Sequence, residues 1–154
     1  MKIRPVAKKD VSQLKRIIKE TPEFDKGDIS TCFECLEAYL GGDKTYYFDC
    51  AEDNGELSGF VCYGWDTIAK GVLEFYWITV DKKKRREGIA RLLQLHVEKE
   101  AKKKKSRIIF AETESDDAYA NTRKFYKSCG YVEKARVKDF YSAGNDKIIY
   151  GKAV

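Results

Sequence analysis

Residues 81–90 combine the residue types that hold phosphate. Five consecutive basic side chains, Lys82 to Arg86, follow a run of β-branched and aromatic residues and lead into Gly88 and an amphipathic helix pattern. In a strand–loop–helix segment of this kind, backbone amides point at an anion, and the helix dipole and the flanking Arg and Lys side chains favour negative charge. The segment therefore predicts a site for a phosphate-bearing ligand.

The spacing Arg85-x-x-Gly88-x-Ala90 resembles the pyrophosphate loop of the Gcn5-related N-acetyltransferases, the GNAT family. That loop reads Gln or Arg, x, x, Gly, x, Gly or Ala, and the family transfers an acetyl group from acetyl-CoA to an amine. The resemblance implies acetyl-CoA as cosubstrate and no metal. It also implies that backbone groups of the preceding strand pair with the pantetheine arm. The cofactor contacts implied are Ile78, Thr79, Val80, Arg85, Arg86, Glu87, Gly88, Ile89 and Ala90.

Glu74 lies in the strand pattern before the loop, between the apolar residues Leu73 and Phe75. Apolar neighbours desolvate a carboxylate and make it a stronger base. Its position, six residues before Val80, matches the glutamate that some members use to take the proton of the ammonium group. The resemblance thus implies that Glu74 is the general base. An exposed glutamate on the outer face of a sheet is the alternative.

Tyr126 lies in the segment TRKFYKSCGY, residues 122–131, which resembles a family segment whose tyrosine faces the cofactor sulfur. A phenol and a departing thiol have ordinary pKa values within about two units of each other, so proton transfer between them is reasonable. Phe125 already serves as a packing residue of this helix, so Tyr126 is available for a catalytic role. The resemblance implies that Tyr126 is the general acid, and a packing tyrosine is the alternative.

The apolar pattern predicts the element order β-α-α-β-β-β-α-β-α-β-β. Capping boxes are expected to open the first helix at Asp10 and the second helix at Thr31. The strand–helix–strand run over residues 72–111 requires a parallel pair of strands, and hairpins such as the one at Asn54-Gly55 require antiparallel pairs. A mixed α/β sheet flanked by helices follows, which is also the GNAT-like acyl-CoA N-acyltransferase fold.

At 154 residues, with 43% hydrophobic and 13% aromatic side chains, the chain fits one globular domain over residues 1–154. No apolar stretch is long enough to span a bilayer, and the N-terminus lacks the apolar region of a secretory signal. We therefore expect a soluble cytoplasmic protein that does not act at a membrane. The sequence does not determine the oligomeric state and is compatible with a homodimer.

The cysteines and the single histidine have structural explanations. Cys32 and Cys35 form a C-x-x-C pair, but no second ligand pair for zinc follows, and both fall within a predicted helix. We expect all five cysteines to be reduced, with the C-x-x-C thiols buried. His96 falls beside apolar residues of the third helix, where we expect a partly buried side chain without a catalytic role.

The charges are unevenly distributed along the chain. Residues 82–105 carry eleven Lys and Arg against three Glu, whereas residues 20–37 carry six acidic side chains against one Lys. In the family, the segment between the first two helices overhangs the acetyl end of the cofactor channel. Acidic residues in that segment predict a cationic amine acceptor. Two merely solvated faces are the alternative.

The predicted function is direct acetyl transfer from acetyl-CoA to a primary amine. No covalent acetyl-enzyme is expected, because no cysteine has a recognisable histidine partner. Two other classes stay open: a CoA-binding module of the same fold without catalysis, and a nucleic-acid-binding protein that uses the basic clusters Lys82–Arg91 and Lys102–Lys105. Basic residues around a glycine loop favour a small phosphate ligand over nucleic acid.

Overall fold

The computed structural model describes all 154 residues and contains seven strands and four helices. The strands are β1 Lys2–Pro5, β2 Tyr47–Asp53, β3 Glu56–Trp65, β4 Val72–Val80, β5 Ile108–Glu114, β6 Val132–Ser142 and β7 Asn145–Ala153. The helices are α1 Val11–Lys19, α2 Lys26–Leu40, α3 Ile89–Lys103 and α4 Ala120–Ser128. Short 3₁₀ turns cover Lys8–Asp10, Lys82–Lys84 and Asp117–Tyr119.

The strands form one mixed sheet with the order β1-β2-β3-β4-β5-β7-β6. β4 and β5 are parallel, and helix α3 lies between them in the sequence. The β1–β2, β2–β3, β5–β7 and β6–β7 pairs are antiparallel. The predicted element order and the predicted mixed sheet are therefore confirmed. None of the helices is long and apolar enough to cross a membrane.

By contact density the chain divides into two compact units, residues 1–64 with 76–97, and residues 65–75 with 98–154. In the first unit, α1 and α2 bury their apolar faces against β2 and β3; the buried side chains there are Val6, Leu14, Ile17, Ile18, Cys32, Cys35, Leu36, Phe48, Cys50, Leu57, Phe60 and Cys62. In the second unit, Ile109, Ala111, Ile148 and Tyr150 of β5 and β7 are buried. The expectation of a single domain stays a prediction.

The N-terminus of α2 differs from the prediction. The helix begins at Lys26, because Asp25 caps it: the Asp25 carboxylate accepts a hydrogen bond from the Asp28 amide at 2.8 Å, and Asp28 accepts one from the Asp25 amide at 3.0 Å. The predicted capping box at Thr31 is wrong, and Thr31 lies inside the helix. A reciprocal pair of carboxylates satisfies the first amides as well as a Ser/Thr–Glu box would.

Helix α1 begins at Val11, next to the predicted cap residue Asp10, but the predicted capping box is absent. The Asp10 carboxylate accepts hydrogen bonds from the Ala7 amide at 2.8 Å and from Arg4 at 2.7 and 2.9 Å. Gln13, the residue at the capping-box position, instead donates to the Gly55 carbonyl of the β2–β3 turn at 3.1 Å and accepts from the Leu57 amide of β3 at 2.9 Å. These side chains hold α1 to β1 and to the turn, which the local sequence pattern does not show.

The Arg4–Asp10 ion pair generates a prediction about stability and pH. Asp10 is 3% exposed, and the hydrogen bond from Arg4 lowers its pKa below the ordinary 3.8. Asp10→Asn should therefore lower the free energy of unfolding by about 1–3 kcal/mol at neutral pH, because a buried charge-assisted pair is lost. A carboxylate whose pKa is lower in the folded than in the unfolded state stabilises the fold at pH values above its unfolded-state pKa. This contribution is lost as the pH falls through its folded-state pKa.

The difference between parent and variant should thus be constant above about pH 5 and shrink below about pH 4. Urea unfolding at pH 7 and at pH 3 measures it. Asp117→Asn, at an exposed aspartate, is the matched control and should change stability little at either pH. An Asp10→Asn deficit that stays undiminished at pH 3 would show that the charge of Asp10 is not what stabilises this contact.

Candidate functional site

Strand β4 pairs with β5 over only the first part of its length. The parallel register runs from Val72 opposite Ile108 to Phe75 opposite Ala111 and does not include residues 76–80. N–H and C=O groups on a strand edge outside a ladder can bind an extended ligand by strand addition. The second half of β4 therefore has the backbone edge that the predicted pantetheine contacts need.

The end of β4 depends on a glycine in β3. A Cβ atom at Gly59 would lie 2.6 Å from the carbonyl oxygen of Thr79 and 3.2 Å from the Cα of Val80. No side chain fits at that distance, so a glycine is required where β3 approaches the predicted cofactor strand. Thr79 is buried, and Ile78 and Val80 are half-buried. The only signal for Gly59 in the sequence is a glycine inside a strand pattern, which is typical of close backbone approach.

Asp81 fixes the first turn of the cationic loop. Its buried carboxylate accepts hydrogen bonds from the Lys83 amide at 2.9 Å and from Arg16 of α1 at 2.7 Å. Burial alone would raise the pKa of Asp81, but these two donors bring it below its ordinary value. The carboxylate caps the 3₁₀ turn Lys82–Lys84, and the loop therefore leaves β4 in a fixed direction.

Two residues of the loop have left-handed backbone conformations, Arg86 at φ 71° and Gly88 at φ 80°. Left-handed residues in a turn direct nearby N–H groups to one side, an arrangement that binds anions. Arg86, Glu87 and Gly88 are all exposed. No atom lies within 4 Å of the position that a Cβ atom of Gly88 would take. The backbone of the loop is therefore accessible to a ligand.

Helix α3 begins immediately after Gly88. The Leu92 amide donates to the Gly88 carbonyl at 3.1 Å, so the amides of Ile89 and Ala90 precede the first helical hydrogen bond. The Ile89 side chain is buried and anchors this end of the helix. Amides at a helix N-terminus, together with the positive end of the helix dipole, form an anion site. Residues 85–90 therefore combine basic side chains with helix N-terminal amides, and their contact with a cofactor stays a prediction.

The acidic segment after α1 contacts the cationic loop, which the sequence did not predict. Glu23 accepts two hydrogen bonds from Arg85, at 3.1 and 3.0 Å. Glu20 lies 3.4 Å from the ammonium group of Lys82. Burial acts to raise the pKa of Glu23, but the Arg85 guanidinium brings it below its ordinary range. The two oppositely charged regions of the sequence thus partly neutralise each other.

Glu74 is half-buried on the first half of β4. The register places it opposite Phe110 of β5, and side chains alternate along a strand, so Glu74 and Phe75 point to opposite faces. Glu112, two residues after Phe110, lies on the same face as Glu74. The desolvated environment expected for Glu74 is therefore only partly present.

Tyr126 is buried, at 3% exposure, in a cluster of aromatic rings. Its ring packs edge-on against Phe75 at 6.1 Å and Tyr131 at 5.4 Å, and stacks with Tyr150 at 5.9 Å. Burial raises the pKa of Tyr126 well above that of a free phenol. Phe125, the packing residue that the sequence indicates, is half-buried, and Tyr126 is more buried than Phe125, so Tyr126 also packs. Tyr126 and Glu74 belong to the same compact unit. Because Tyr126 packs on Phe75, it lies at the face of β4 opposite to the one from which Glu74 projects.

The single histidine is partly buried and the C-x-x-C thiols are buried, as the sequence predicted. The half-buried His96 has its Nε2 2.8 Å from Oδ2 of Asp49, which also accepts a hydrogen bond from the Tyr63 hydroxyl at 2.7 Å. All five cysteines are buried and free, and burial raises the pKa of the Cys32 thiol. No group of three or more His, Cys, Asp and Glu side chains is arranged so that it could hold a metal ion.

Comparison with known proteins agrees with this geometry. The family model described as "Acetyltransferase (GNAT) family" matches residues 12–131. A protein of Desulfovibrio desulfuricans assigned to the GNAT family of acetyltransferases superposes with a TM-score of 0.94 at 30% identity, over 99% of this chain and 98% of that one. A search of the curated proteins returned no match.

More distant structures share the fold. The ribosomal-protein-S18-alanine N-acetyltransferase of Escherichia coli superposes with a TM-score of 0.79 at 18% identity, over 99% of this chain and 93% of that one. An aminoglycoside 6′-N-acetyltransferase in complex with coenzyme A has a TM-score of 0.78 at 18% identity, over 99% and 97% of the two chains. With the family model matching most of the sequence, the chain belongs to the GNAT family of acetyltransferases.

Proposed function

We propose that this protein transfers the acetyl group of acetyl-CoA directly to a primary amine. The observation that carries the proposal is the loop after β4, in which the left-handed residues Arg86 and Gly88 precede the N-terminus of α3 among basic side chains. Backbone amides and cations in this arrangement fit a pyrophosphate. The coenzyme A complex of the structurally similar aminoglycoside acetyltransferase supports the same ligand.

The residues of this chain would divide the binding between them. Arg85, Arg86 and the amides around Gly88 would hold the phosphates, together with the amides of Ile89 and Ala90. The backbone of residues 78–80 would pair with the pantetheine arm by strand addition. Glu87 would contribute its backbone, since its carboxylate would repel phosphate. Bound in this way, acetyl-CoA supplies the activated thioester.

Glu74 is the proposed general base and Tyr126 the proposed general acid. Glu74 would take a proton from the ammonium form of the acceptor, directly or through water, so that the neutral amine can attack the thioester carbonyl. The Tyr126 phenol, whose pKa burial raises further, is protonated at neutral pH. As the C–S bond breaks it would donate a hydrogen bond and then its proton to the departing sulfur, and the acetylated nitrogen would lose its extra proton to solvent.

A CoA-binding module without catalysis is the second candidate. The observation that favours it is the aromatic packing of Tyr126, which by itself explains a tyrosine at this position. Release of free thiol from acetyl-CoA in the presence of amines, above the rate of hydrolysis without amine, separates the two candidates. Amine-dependent thiol release establishes the enzyme, and binding without it establishes the module.

The loop geometry generates a prediction about binding. Gly88→Ala should weaken CoA binding about tenfold or more, corresponding to about 1.4 kcal/mol or more, because a Cβ would stand between the backbone and the phosphates. Gly144→Ala is a matched control, since Gly144 also has φ 80° and no neighbouring atoms within 4 Å. Both variants carry the same backbone strain, but only Gly88→Ala should change the calorimetric Kd. Equal CoA affinity in the two variants would place the phosphate site elsewhere.

The proposed roles of Tyr126 and Glu74 predict separate kinetic effects. Tyr126→Phe should lower kcat by about 10²–10⁴-fold, the usual loss for a positioned proton donor, and leave CoA affinity unchanged. Glu74→Gln should lower kcat and remove the acidic limb of the pH–rate profile. Tyr131→Phe in the same aromatic cluster and Glu112→Gln on the same sheet face are the controls. Near-parental kcat in both test variants would contradict the assignment.

We further propose that the acceptor carries a net positive charge. Glu20 and Glu23 pair with the cationic loop, but the acidic side chains at the N-terminus of α2 and along it, Asp25, Asp28, Glu34 and Glu37, do not. The acceptors of the structural relatives, an alanine of a ribosomal protein and an aminoglycoside, differ too much to define the class. In a series of amines of rising charge, kcat/KM should increase with charge and decrease with added salt. A preference for acidic amines, or indifference to salt, would exclude this acceptor class.

A further inference from the structure

Three ion pairs connect α1 and the segment after it to the end of β4 and the cationic loop that follows. The shortest contacts between charged atoms are Arg16–Asp81 at 2.7 Å, Lys82–Glu20 at 3.4 Å and Arg85–Glu23 at 3.0 Å. The first pair includes the residue that caps the 3₁₀ turn. The second pair engages Lys82 in the same loop, and the third engages Arg85, which the proposed function assigns to the phosphates. The free protein thus already places carboxylates where a ligand would bring negative charge.

The pairs differ in how exposed they are, and this decides which of them a ligand could break. The Asp81 side chain is 6% exposed and is also bonded to the Lys83 amide. The side chains of Glu23 and Arg85 are 26% and 38% exposed. Breaking a buried pair leaves an uncompensated buried charge, whereas breaking an exposed one costs little. Arg16–Asp81 is therefore a fixed anchor, and Arg85–Glu23 is exchangeable.

The geometry of the Arg85–Glu23 pair is that of a phosphate contact. Oε1 of Glu23 lies 3.1 Å from Nη1 of Arg85, and Oε2 lies 3.0 Å from Nη2. This two-donor end of the guanidinium is one that binds phosphate oxygens in the same bidentate way. A pyrophosphate carries more negative charge than one carboxylate and would also receive hydrogen bonds from the amides of the loop. It should therefore displace Glu23 from Arg85.

We propose that Glu23 competes with the cofactor for Arg85. Its carboxylate binds the Arg85 guanidinium in the free protein and is displaced from it when the pyrophosphate binds. The inference rests on the proposed function, since it takes the ligand of this loop to be CoA. It assigns Glu23 a regulatory role: the carboxylate lowers the affinity for CoA and neutralises the loop when no ligand is present. Cofactor binding in turn frees the Glu23 carboxylate from its contact with the loop.

Calorimetric titration of CoA into four proteins tests the proposal: the parent, Glu23→Gln, Arg85→Gln and the double variant. Glu23→Gln should bind CoA about two- to fivefold more tightly, the size expected for loss of competition from a part-exposed ion pair. Arg85→Gln should bind more weakly. The double variant should bind CoA as weakly as Arg85→Gln does, because Glu23 competes with the cofactor only through its ion pair with Arg85.

Two controls separate competition for Arg85 from a general change of charge. Glu34→Gln removes the same charge from an exposed position on α2, and should bind CoA like the parent. Pantetheine, which has no phosphates, should show no difference between the parent and Glu23→Gln. A gain in affinity that persists in the Arg85→Gln background, or that appears equally in Glu34→Gln, would overturn the proposal.

Weaker or unchanged CoA binding by Glu23→Gln would also overturn it. In that case Glu23 would position Arg85 for the phosphate or have no influence on it. These outcomes differ from failure of the proposed function, in which the parent itself would not bind CoA. Because Glu23 is on the surface and outside the hydrophobic core, the variant should fold, and equal circular dichroism spectra and melting temperatures will verify this.

Discussion

The short ladder between β4 and β5 is the constraint on which the candidate site depends. Backbone N–H and C=O groups need partners, and a strand whose ladder ends early must find them in water or in a ligand. β4 leaves its pairing with β5 after Phe75 and continues to Val80. The same strand then runs directly into the cationic loop and α3. One strand therefore provides both a backbone edge and the entry to a helix N-terminus with the chemistry of an anion site.

A loop rich in basic side chains is subject to charge repulsion when no anion is bound to it. Residues 82–86 are all basic and all exposed, so their charges repel each other in the free protein. Three carboxylates reduce this repulsion in different ways: Asp81 from a buried position, and Glu20 and Glu23 from half-buried ones. The buried carboxylate shapes the loop, and the half-buried carboxylates balance its charge. With these two kinds of carboxylate, the loop keeps its conformation although not every basic side chain in it is engaged in an ion pair.

Strands, turns and helices that follow from local residue patterns could be predicted from the sequence, whereas contacts between residues far apart in the chain could not. Strand β4, the turn at Asn54-Gly55 and the helix after Gly88 follow from local patterns and are confirmed. Local patterns misplaced the start of α2, because the acidic pair Asp25 and Asp28 was read as loop. The long-range contacts were unpredictable for a different reason. Nothing in the spacing of Arg85 and Glu23, 62 residues apart, indicates that the two meet.

The site residues show the same limit. Gly88 was predicted because its chemistry is local: a left-handed glycine before a helix has a recognisable sequence pattern. Gly59 was missed because its role is to accommodate Thr79, a residue of another strand. A local motif singles out Tyr126, whose catalytic role stays a prediction, but its burial depends on Phe75, Tyr131 and Tyr150, which come from different elements. Motifs therefore identify residues, while packing determines the environments in which their chemistry takes place.

For Tyr126 the environment changes the chemistry expected of it. Burial raises its pKa, which makes the phenol a weaker acid than the free side chain. A weaker acid loses its proton less readily to a thiolate, but it is fully protonated at neutral pH and donates a hydrogen bond from a fixed ring. A rigid donor aimed at a developing negative charge stabilises it with no reorganisation at the moment of reaction. In the proposed reaction, Tyr126 would therefore act first as a preorganised hydrogen-bond donor to the sulfur and only afterwards as an acid.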